Sequence, residues 1–327
     1  MQHRRLQSYA SCLLCAATVL CVLSSTAPGQ TSGVDSRPPE TAPHGSGLNL
    51  RVDTTLVLIP VTVTDTLNRF VLGLEKQDFR LVEDGLEQKI AHFSGEDAPL
   101  SIGFVFDESG SMNYKLRTSR DALTLLLKTM NADDEAFLVE FGDKAKLTVG
   151  FTSHSDEIES ALNKARPAGL TAMLDAIYIA LDQMKKAKNS RKAIVIISDG
   201  GDNHSQYTAA EVESLVRQAD VQIYAMGVFE PILSLGLTPE EISGPRLLSE
   251  IATQTGGRAF AAALTSDLPS VAARVAIELR NEYVVAYYPS NPARDGKYRH
   301  VEVKISQPNG VSPLKPHWRL GYYAPAQ

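Results

Sequence analysis

The chain has 327 residues, of which 43% are hydrophobic and 21% are charged, and its formal net charge is −6. These proportions are typical of a soluble globular protein and give enough chain for two domains. Because acidic residues exceed basic ones and no dense basic patch is present, the composition argues against a nucleic-acid partner.

The first 29 residues predict export. Arg4 and Arg5 precede an apolar run at 13–23, and small residues follow as far as Gly29, which is the pattern of a secretory signal peptide. The apolar run is too short to span a membrane comfortably, so we expect cleavage after Gly29. Retention as an uncleaved N-terminal anchor is the alternative. In either case the protein is expected in the periplasm, outside the cell or at the cell envelope.

The cysteines agree with export, since Cys12, Cys15 and Cys21 all lie inside the expected signal peptide. The mature chain would contain no disulfide and no thiolate metal site, so its stability would come from packing and from any bound metal. Removal of residues 1–29 takes away two arginines and no acid, and brings the formal charge to −8.

Residues 30–47 are rich in Pro, Gly, Ser and Thr and predict a flexible leader. Residues 48–97 and 282–327 carry short β-branched and aromatic runs and predict two all-β segments. Each is roughly fifty residues long, too short for a convincing core of its own. We therefore expect them to pair into one β-sandwich with residues 98–281 inserted; two separately docked β appendages are the alternative. The expected strands are 56–64, 79–82, 88–93, 283–288, 298–306 and 317–323, with turns at 83–85, 295–296 and 309–310.

Residues 98–281 alternate apolar strands with helical patterns. The strands are near-continuous apolar runs, as in a sheet covered on both faces, which predicts an α/β domain with a doubly wound, mostly parallel sheet. One helix is expected to begin after a capping box of Thr208 and Glu211, and a later helix is expected to end at Gly256 and Gly257. Residues 231–239 and the pair 244–245 are expected to form a long loop near the strand ends. The expected strands are 101–106, 136–141, 193–198 and 221–228, and further helices are expected at 116–130, 174–184 and 266–280.

Three loops of this domain carry side-chain oxygens to the carboxyl ends of strands, where doubly wound sheets collect their ligands. The first contains Asp107, Ser109 and Ser111, the second Thr171, and the third Asp199. Two carboxylates and three hydroxyls are ligands that a hard divalent cation prefers. Taken singly, the first two loops could cap helices and the third could be a plain turn. Taken together, the three loops favour a metal site.

The order of these loops resembles the von Willebrand factor type A domain over about residues 98–281. The resemblance implies that the five residues named above form its metal-ion-dependent adhesion site. Mg²⁺ would be the usual ion, Mn²⁺ or Ca²⁺ could replace it, and an acidic residue of a partner would often complete the coordination. The flanks, with Val61–Thr62–Val63, Asp78–Phe79 and the closing 321–325 run, resemble an exported von Willebrand factor A-related family that is abundant in Acidobacteria.

Other polar features carry weaker expectations. Glu108 is expected to point to solvent at the rim of the site, and residues 202–204 to form a polar surface loop rather than outer-shell or partner contacts. The tyrosines of the C-terminal strands are expected to pack a core or cross-strand pairs rather than to line a binding stripe. They are Tyr283, Tyr287, Tyr288, Tyr298, Tyr322 and Tyr323. The scattered histidines have no short metal-ligand spacing, which argues against a zinc site.

Three functions compete at this point. An exported adhesion or protein-binding module would use the cation to bind a carboxylate of a protein or other acidic ligand. A cell-envelope scaffold would use the cation structurally. A metal-assisted hydrolase would need a base, and the sequence offers no Ser/His/Asp order and no base beside the loops, so we expect no enzyme. The only expected membrane contact is the uncleaved anchor.

Overall fold

The computed structural model describes residues 56–228, 239–306 and 313–326. The expected signal peptide and leader, most of the 231–239 loop and the turn at 309–310 lie outside the described residues. All described residues belong to one compact unit, Val52–Gln327. Within them, no helix is both long and apolar enough to cross a membrane.

The described residues form the following strands and helices. The strands are β1 (Val57–Thr64), β2 (Phe79–Glu83), β3 (Leu86–Gln88), β4 (Ile90–Ser94), β5 (Leu100–Asp107), β6 (Glu135–Phe141), β7 (Ala145–Thr152), β8 (Arg191–Ser198), β9 (Gln222–Val228), β10 (Ala259–Ala262), β11 (Tyr283–Tyr287), β12 (Tyr298–Ile305), β13 (Lys315–Trp318) and β14 (Gly321–Tyr323). The helices are α1 (Leu116–Leu127), α2 (Ser155–Leu162), α3 (Met173–Met184), α4 (Ala209–Gln218), α5 (Pro239–Gln254) and α6 (Leu268–Arg280).

The central sheet has six strands in the order β10-β9-β8-β5-β6-β7, parallel except for the edge strand β7. Every residue of β5, β6 and β9 is buried because helices cover both faces. Side chains of α1, α2 and α6 share one core with the sheet, and those of α3, α4 and α5 share the other. The predicted doubly wound, mostly parallel α/β fold is confirmed.

Three elements of this domain were not predicted, and one loop was predicted wrongly. Strands β7 and β10 lie at the two edges of the sheet, and α2 follows β7. Gly244 and Pro245 lie inside α5 instead of in a loop. Proline removes one helical hydrogen bond, but the buried side chains of Leu248 and Ile251 hold the helix against the sheet. Thr208 caps α4 through the predicted capping box with Glu211.

The flanking segments form two four-stranded sheets, with the orders β13-β1-β11-β4 and β14-β12-β2-β3. Each sheet combines strands from both ends of the described chain, because β1 pairs with β11 and β2 pairs with β12. The hairpin between β2 and β3 turns at Asp84 and Gly85, whose φ angles are 47° and 84°. Apolar side chains from both sheets form one core, which contains Val57, Ile59, Val61, Val63, Phe79, Leu81, Ile90, Tyr283, Val285, Tyr287, Val301 and Val303. The segment limits at 97 and 282 stay predictions.

Two expected strands are each divided between these sheets. The run 88–93 contributes its first residue to β3 and residues 90–93 to β4, and the run 317–323 contains the end of β13 and the whole of β14. The chain changes sheet at these corners, which the strand pattern alone does not reveal. Tyr283 and Tyr287 are buried in the shared core, whereas Tyr288 and Tyr323 are exposed, so the expected core position is wrong for these two. The hydroxyls of Tyr287 and Tyr322 donate to the buried carboxylate of Glu83.

Candidate metal centre

Asp107, the last residue of β5, is fully buried. Its Oδ1 accepts a hydrogen bond from the backbone N–H of Ser109 at 2.8 Å, and its Oδ2 accepts one from Ser198 Oγ at 2.6 Å. Because β5 and β8 are parallel neighbours, their carboxyl ends bring these two residues together. The carboxylate of Asp107 is therefore held by its own loop and by the end of the next strand.

The hydroxyls of Ser109 and Ser111 lie 3.1 Å apart. The intervening residue opens a short 3-10 turn at Gly110–Met112, and the Gly110 N–H donates to the carbonyl of Gly169 at 3.1 Å. Neither Asp107 nor Ser111 caps the following helix, since α1 has Lys115 at its N-cap position and no side-chain capping bond. The helix-cap alternative is thus excluded for this loop.

Thr171 is buried in the second loop, which packs against the first. Its backbone N–H donates to Asn203 Oδ1 at 2.9 Å, and the N–H of Asn203 donates back to the Thr171 carbonyl at 3.0 Å. Asp202 accepts from the N–H of Leu174 at 3.1 Å, in the first turn of α3. The N-cap of α3 is Ala172, without a side-chain capping bond, so Thr171 does not cap the helix. Asp202 and Asn203 position this loop, which fits the outer-shell alternative better than a plain surface loop.

Asp199 follows β8 and is buried. Its Oδ2 accepts from Lys115 Nζ at 3.0 Å, and the two side chains are only 7% and 8% exposed. Its Oδ1 is also buried and has no hydrogen-bond partner among the described residues. Buried carboxylate oxygens are nearly always satisfied, so this atom calls for an ion or a water. Lys115 was missed in the sequence, where it looks like an ordinary residue at the start of a helix.

The electrostatics of the pair also favour a cation. Burial, and then the negative charge of Asp199, raise the pKa of Asp107 to about 7, against the hydrogen bonds from Ser109 and Ser198. Across the described residues, no group of three or more His, Cys, Asp or Glu side chains could hold a metal. An ion between these loops would therefore take hydroxyl oxygens as well as carboxylates, and such an all-oxygen set fits Mg²⁺.

The rim of the centre differs from the prediction at one residue. The carboxylate of Glu108 is 17% exposed and accepts from Lys146 Nζ at 3.3 Å, so it is directed toward β7 instead of solvent. The reason is the ammonium of Lys146, which also lies 3.4 Å from the buried Glu140. Tyr114 and Leu170, in the first two loops, are 55% and 46% exposed and offer apolar surface beside the crevice.

Residues 102–201 match the family model of the von Willebrand factor type A domain. Inter alpha-trypsin inhibitor heavy chain 4 of Mus musculus is 26% identical over 148 residues, which are 40% of this chain and 16% of that protein. The chain thus spans about one-sixth of that relative's length. A protein of Borreliella burgdorferi is 26% identical over 191 residues, covering 52% of this chain and 55% of its own.

Two solved structures illustrate the structural likeness. A von Willebrand factor type A protein from Catenulispora acidiphila aligns with a TM-score of 0.48 at 12% identity, covering 84% of this chain and 74% of its own. The von Willebrand factor domain of the type V pili tip protein Mfa5 from Porphyromonas gingivalis has a TM-score of 0.45 at 13% identity, covering 55% and 94%. All five predicted site residues fall within the stretch that the family model matches. Residues 102–201 of this chain are therefore similar to a von Willebrand factor type A domain.

Proposed function

We propose that this protein is an exported binding module whose von Willebrand factor type A domain presents a divalent cation to a carboxylate of a protein partner. Asp107, Ser109, Ser111, Thr171 and Asp199 would hold the ion, which is Mg²⁺ by preference, with Mn²⁺ or Ca²⁺ as substitutes. One observation supports the proposal: Oδ1 of Asp199, in the loop after β8, is a buried carboxylate oxygen with no hydrogen-bond partner among the described residues.

The chemistry of the site supports a partner's oxygen as the remaining ligand. The hydroxyl ligands are neutral, so only the negative charges of Asp107 and Asp199 balance the charge of an ion bound here. The ion therefore still attracts a further anion. Exposed Tyr114 and Leu170 supply apolar contacts beside that anion. An acidic residue flanked by apolar side chains is the partner chemistry that this surface would bind.

Export is part of the proposal and depends on the signal pattern of residues 1–29. We also propose, from the flanking motifs, that the chain belongs to the exported von Willebrand factor A-related family abundant in Acidobacteria. A binding role is proposed in preference to an enzymatic one, because the site carboxylates are held by neighbouring donors and no base has been assigned beside them.

A second candidate is a cell-envelope scaffold. The buried ion pair between Lys115 and Asp199 favours it, because the ammonium partly neutralises the crevice without any ion. In that case a bound cation would contribute to the stability of the fold and would not contact a partner.

Metal binding is tested by titrating the purified protein with Mn²⁺, read by electron paramagnetic resonance, and with Mg²⁺, read by calorimetry. We expect one site in the wild type and none in Asp107→Ala. Asp121→Ala, which removes an exposed carboxylate from α1, should bind like the wild type and serves as the control. Equal binding by Asp107→Ala would place the ion elsewhere.

Partner binding is tested by affinity capture from the native cell envelope with Mg²⁺, with chelator, and with Asp107→Ala. We expect a partner that is retained only by the wild type in Mg²⁺. A partner retained equally in all three conditions would remove the metal bridge. If Asp107→Ala instead lowers the melting temperature and leaves capture unchanged, the scaffold function replaces the adhesion function.

A further inference from the structure

Lys115 is a buried cation at the candidate metal centre and does not belong to its five expected ligands. Lys115 is 7% exposed, and its ammonium donates to Asp199 Oδ2 at 3.0 Å. Its backbone is fixed as well, since the N–H donates to the Met112 carbonyl at 2.9 Å and the carbonyl accepts from Ser119 at 3.0 Å. Lysines are almost never buried unless they are paired. The position of Lys115 is therefore built into the site.

The two oxygens of Asp199 have different environments. Oδ2 is taken by Lys115, whereas Oδ1 is buried and free of any hydrogen bond in the described part of the chain. A cation can thus reach Oδ1 without breaking the ion pair at Oδ2. An ammonium and a divalent ion on one carboxylate are like charges at short range in a buried crevice, and each weakens the binding of the other.

Lys115 also changes the charge that a bound ion leaves behind. When an ion is bound, the ionised carboxylates of Asp107 and Asp199 give the crevice two negative charges, and Lys115 cancels one of them. A divalent ion then leaves one positive charge unbalanced, whereas without the ammonium the occupied site would be neutral. An unbalanced, partly desolvated positive charge favours an anion from outside.

We propose that Lys115 makes this centre bind its divalent cation weakly alone and tightly together with a carboxylate from a partner. The ammonium lowers the affinity for the ion and raises the affinity of the occupied site for an anion. By thermodynamic linkage, the anion then strengthens ion binding by the same factor that the ion strengthens anion binding. The inference rests on the proposed function, because it requires an ion at these residues.

The test measures Mn²⁺ affinity of the full chain by electron paramagnetic resonance, with and without acetate as the carboxylate probe. Lys115→Met removes the charge and keeps most of the length of the side chain. We expect Lys115→Met to bind Mn²⁺ at least about tenfold more tightly than the wild type without acetate. Acetate should tighten Mn²⁺ binding clearly in the wild type and weakly in Lys115→Met.

Three further variants separate charge from structure. Lys115→Arg keeps the charge and should behave like the wild type. Lys115→Gln is neutral but can still donate to Asp199, so it should follow Lys115→Met even if the methionine variant folds poorly. Lys146→Met removes an ammonium that pairs with Glu108 at the rim and should leave both measurements unchanged.

The outcomes distinguish this inference from the proposed function. If the wild type binds Mn²⁺ and the neutral variants bind it equally or more weakly, the role of Lys115 is overturned and the metal centre stands. Equal tightening by acetate in wild type and neutral variants overturns it in the same way. If neither the wild type nor the neutral variants bind Mn²⁺, the metal centre and the role of Lys115 both fall.

Discussion

The loop that carries Asp199 lies in close contact with α5, and Gly244→Ala tests whether this contact positions the loop. Gly200, directly after Asp199, has a φ of 87°. A Cβ placed on Gly244 would lie 2.0 Å from the Gly200 carbonyl oxygen and 2.2 Å from its carbonyl carbon. Both contacts are with backbone, so no change of side-chain rotamer can relieve them. Either α5 or the Asp199 loop has to move by more than about 1 Å to restore van der Waals contact.

Two effects of Gly244→Ala are expected. Overpacking of this kind costs about 1–3 kcal/mol of unfolding free energy. The displaced loop would also carry the Asp199 carboxylate away from the proposed ion, and loss of outer-shell support lowers metal affinity by about 10–100-fold. Urea denaturation measures the first effect and Mn²⁺ titration the second.

Gly150→Ala is the matched control, because a Cβ at that position of β7 meets no atom within 4 Å. We expect it to keep wild-type Mn²⁺ affinity and to be as stable as the wild type or slightly more so, since glycine is unfavourable within a strand. If Gly244→Ala loses stability but binds Mn²⁺ normally, α5 does not position Asp199. If Gly244→Ala keeps both its stability and its Mn²⁺ affinity, the close contact between Gly200 and Gly244 does not restrain the loop.

Three buried polar groups outside the centre give further predictions. Burial raises the pKa of Glu278 from 4.5 to about 7, so the folded state holds a proton that the unfolded state loses between these values, and stability falls as pH rises through that window. Glu278→Gln should remove roughly 3 kcal/mol of this loss of stability. Unfolding free energies of wild type and variant that change with pH in parallel would contradict this expectation. Arg191→Met leaves Glu282, 3.0 Å away, without its buried cation and should cost about 3–5 kcal/mol in urea denaturation, whereas the double variant with Glu282→Gln should cost less than the two single changes together. Tyr287→Phe removes a hydroxyl that donates to Glu83 at 2.6 Å and should cost about 1–3 kcal/mol, which an unchanged urea midpoint would exclude.

The central sheet was predictable because its strands are buried on both faces. Residues 102–106 of β5, 193–197 of β8 and 223–228 of β9 are uninterrupted apolar runs, and such runs occur in parallel sheets covered by helices. The same topology brings the predicted first and third loops together. Parallel neighbours end at one edge, so Asp107 after β5 and Ser198 at the end of β8 meet at 2.6 Å, although 91 residues separate them.

The elements that were missed carry weak local signals. Most of β7 is exposed or half-buried, and its sequence lacks the apolar run of the inner strands. Pro245 argued for a loop, but packing of α5 against the sheet outweighs the cost of one lost hydrogen bond. The change of sheet near Lys89 depends on contacts between distant strands, which no local pattern encodes.

Lys115 could not be found from the sequence for a different reason. A cation at a helix N-terminus lies at the positive end of the helix dipole, and burial removes its hydration, so both effects disfavour a lysine there. The observed compensation is the carboxylate of Asp199, which comes from a loop 84 residues away. The free-energy cost of burying the ammonium of Lys115 therefore depends on how much of the charge of Asp199 remains available to it. A divalent ion at Oδ1 would draw on that same charge, so the proposed ion and the ammonium of Lys115 would compete for one carboxylate.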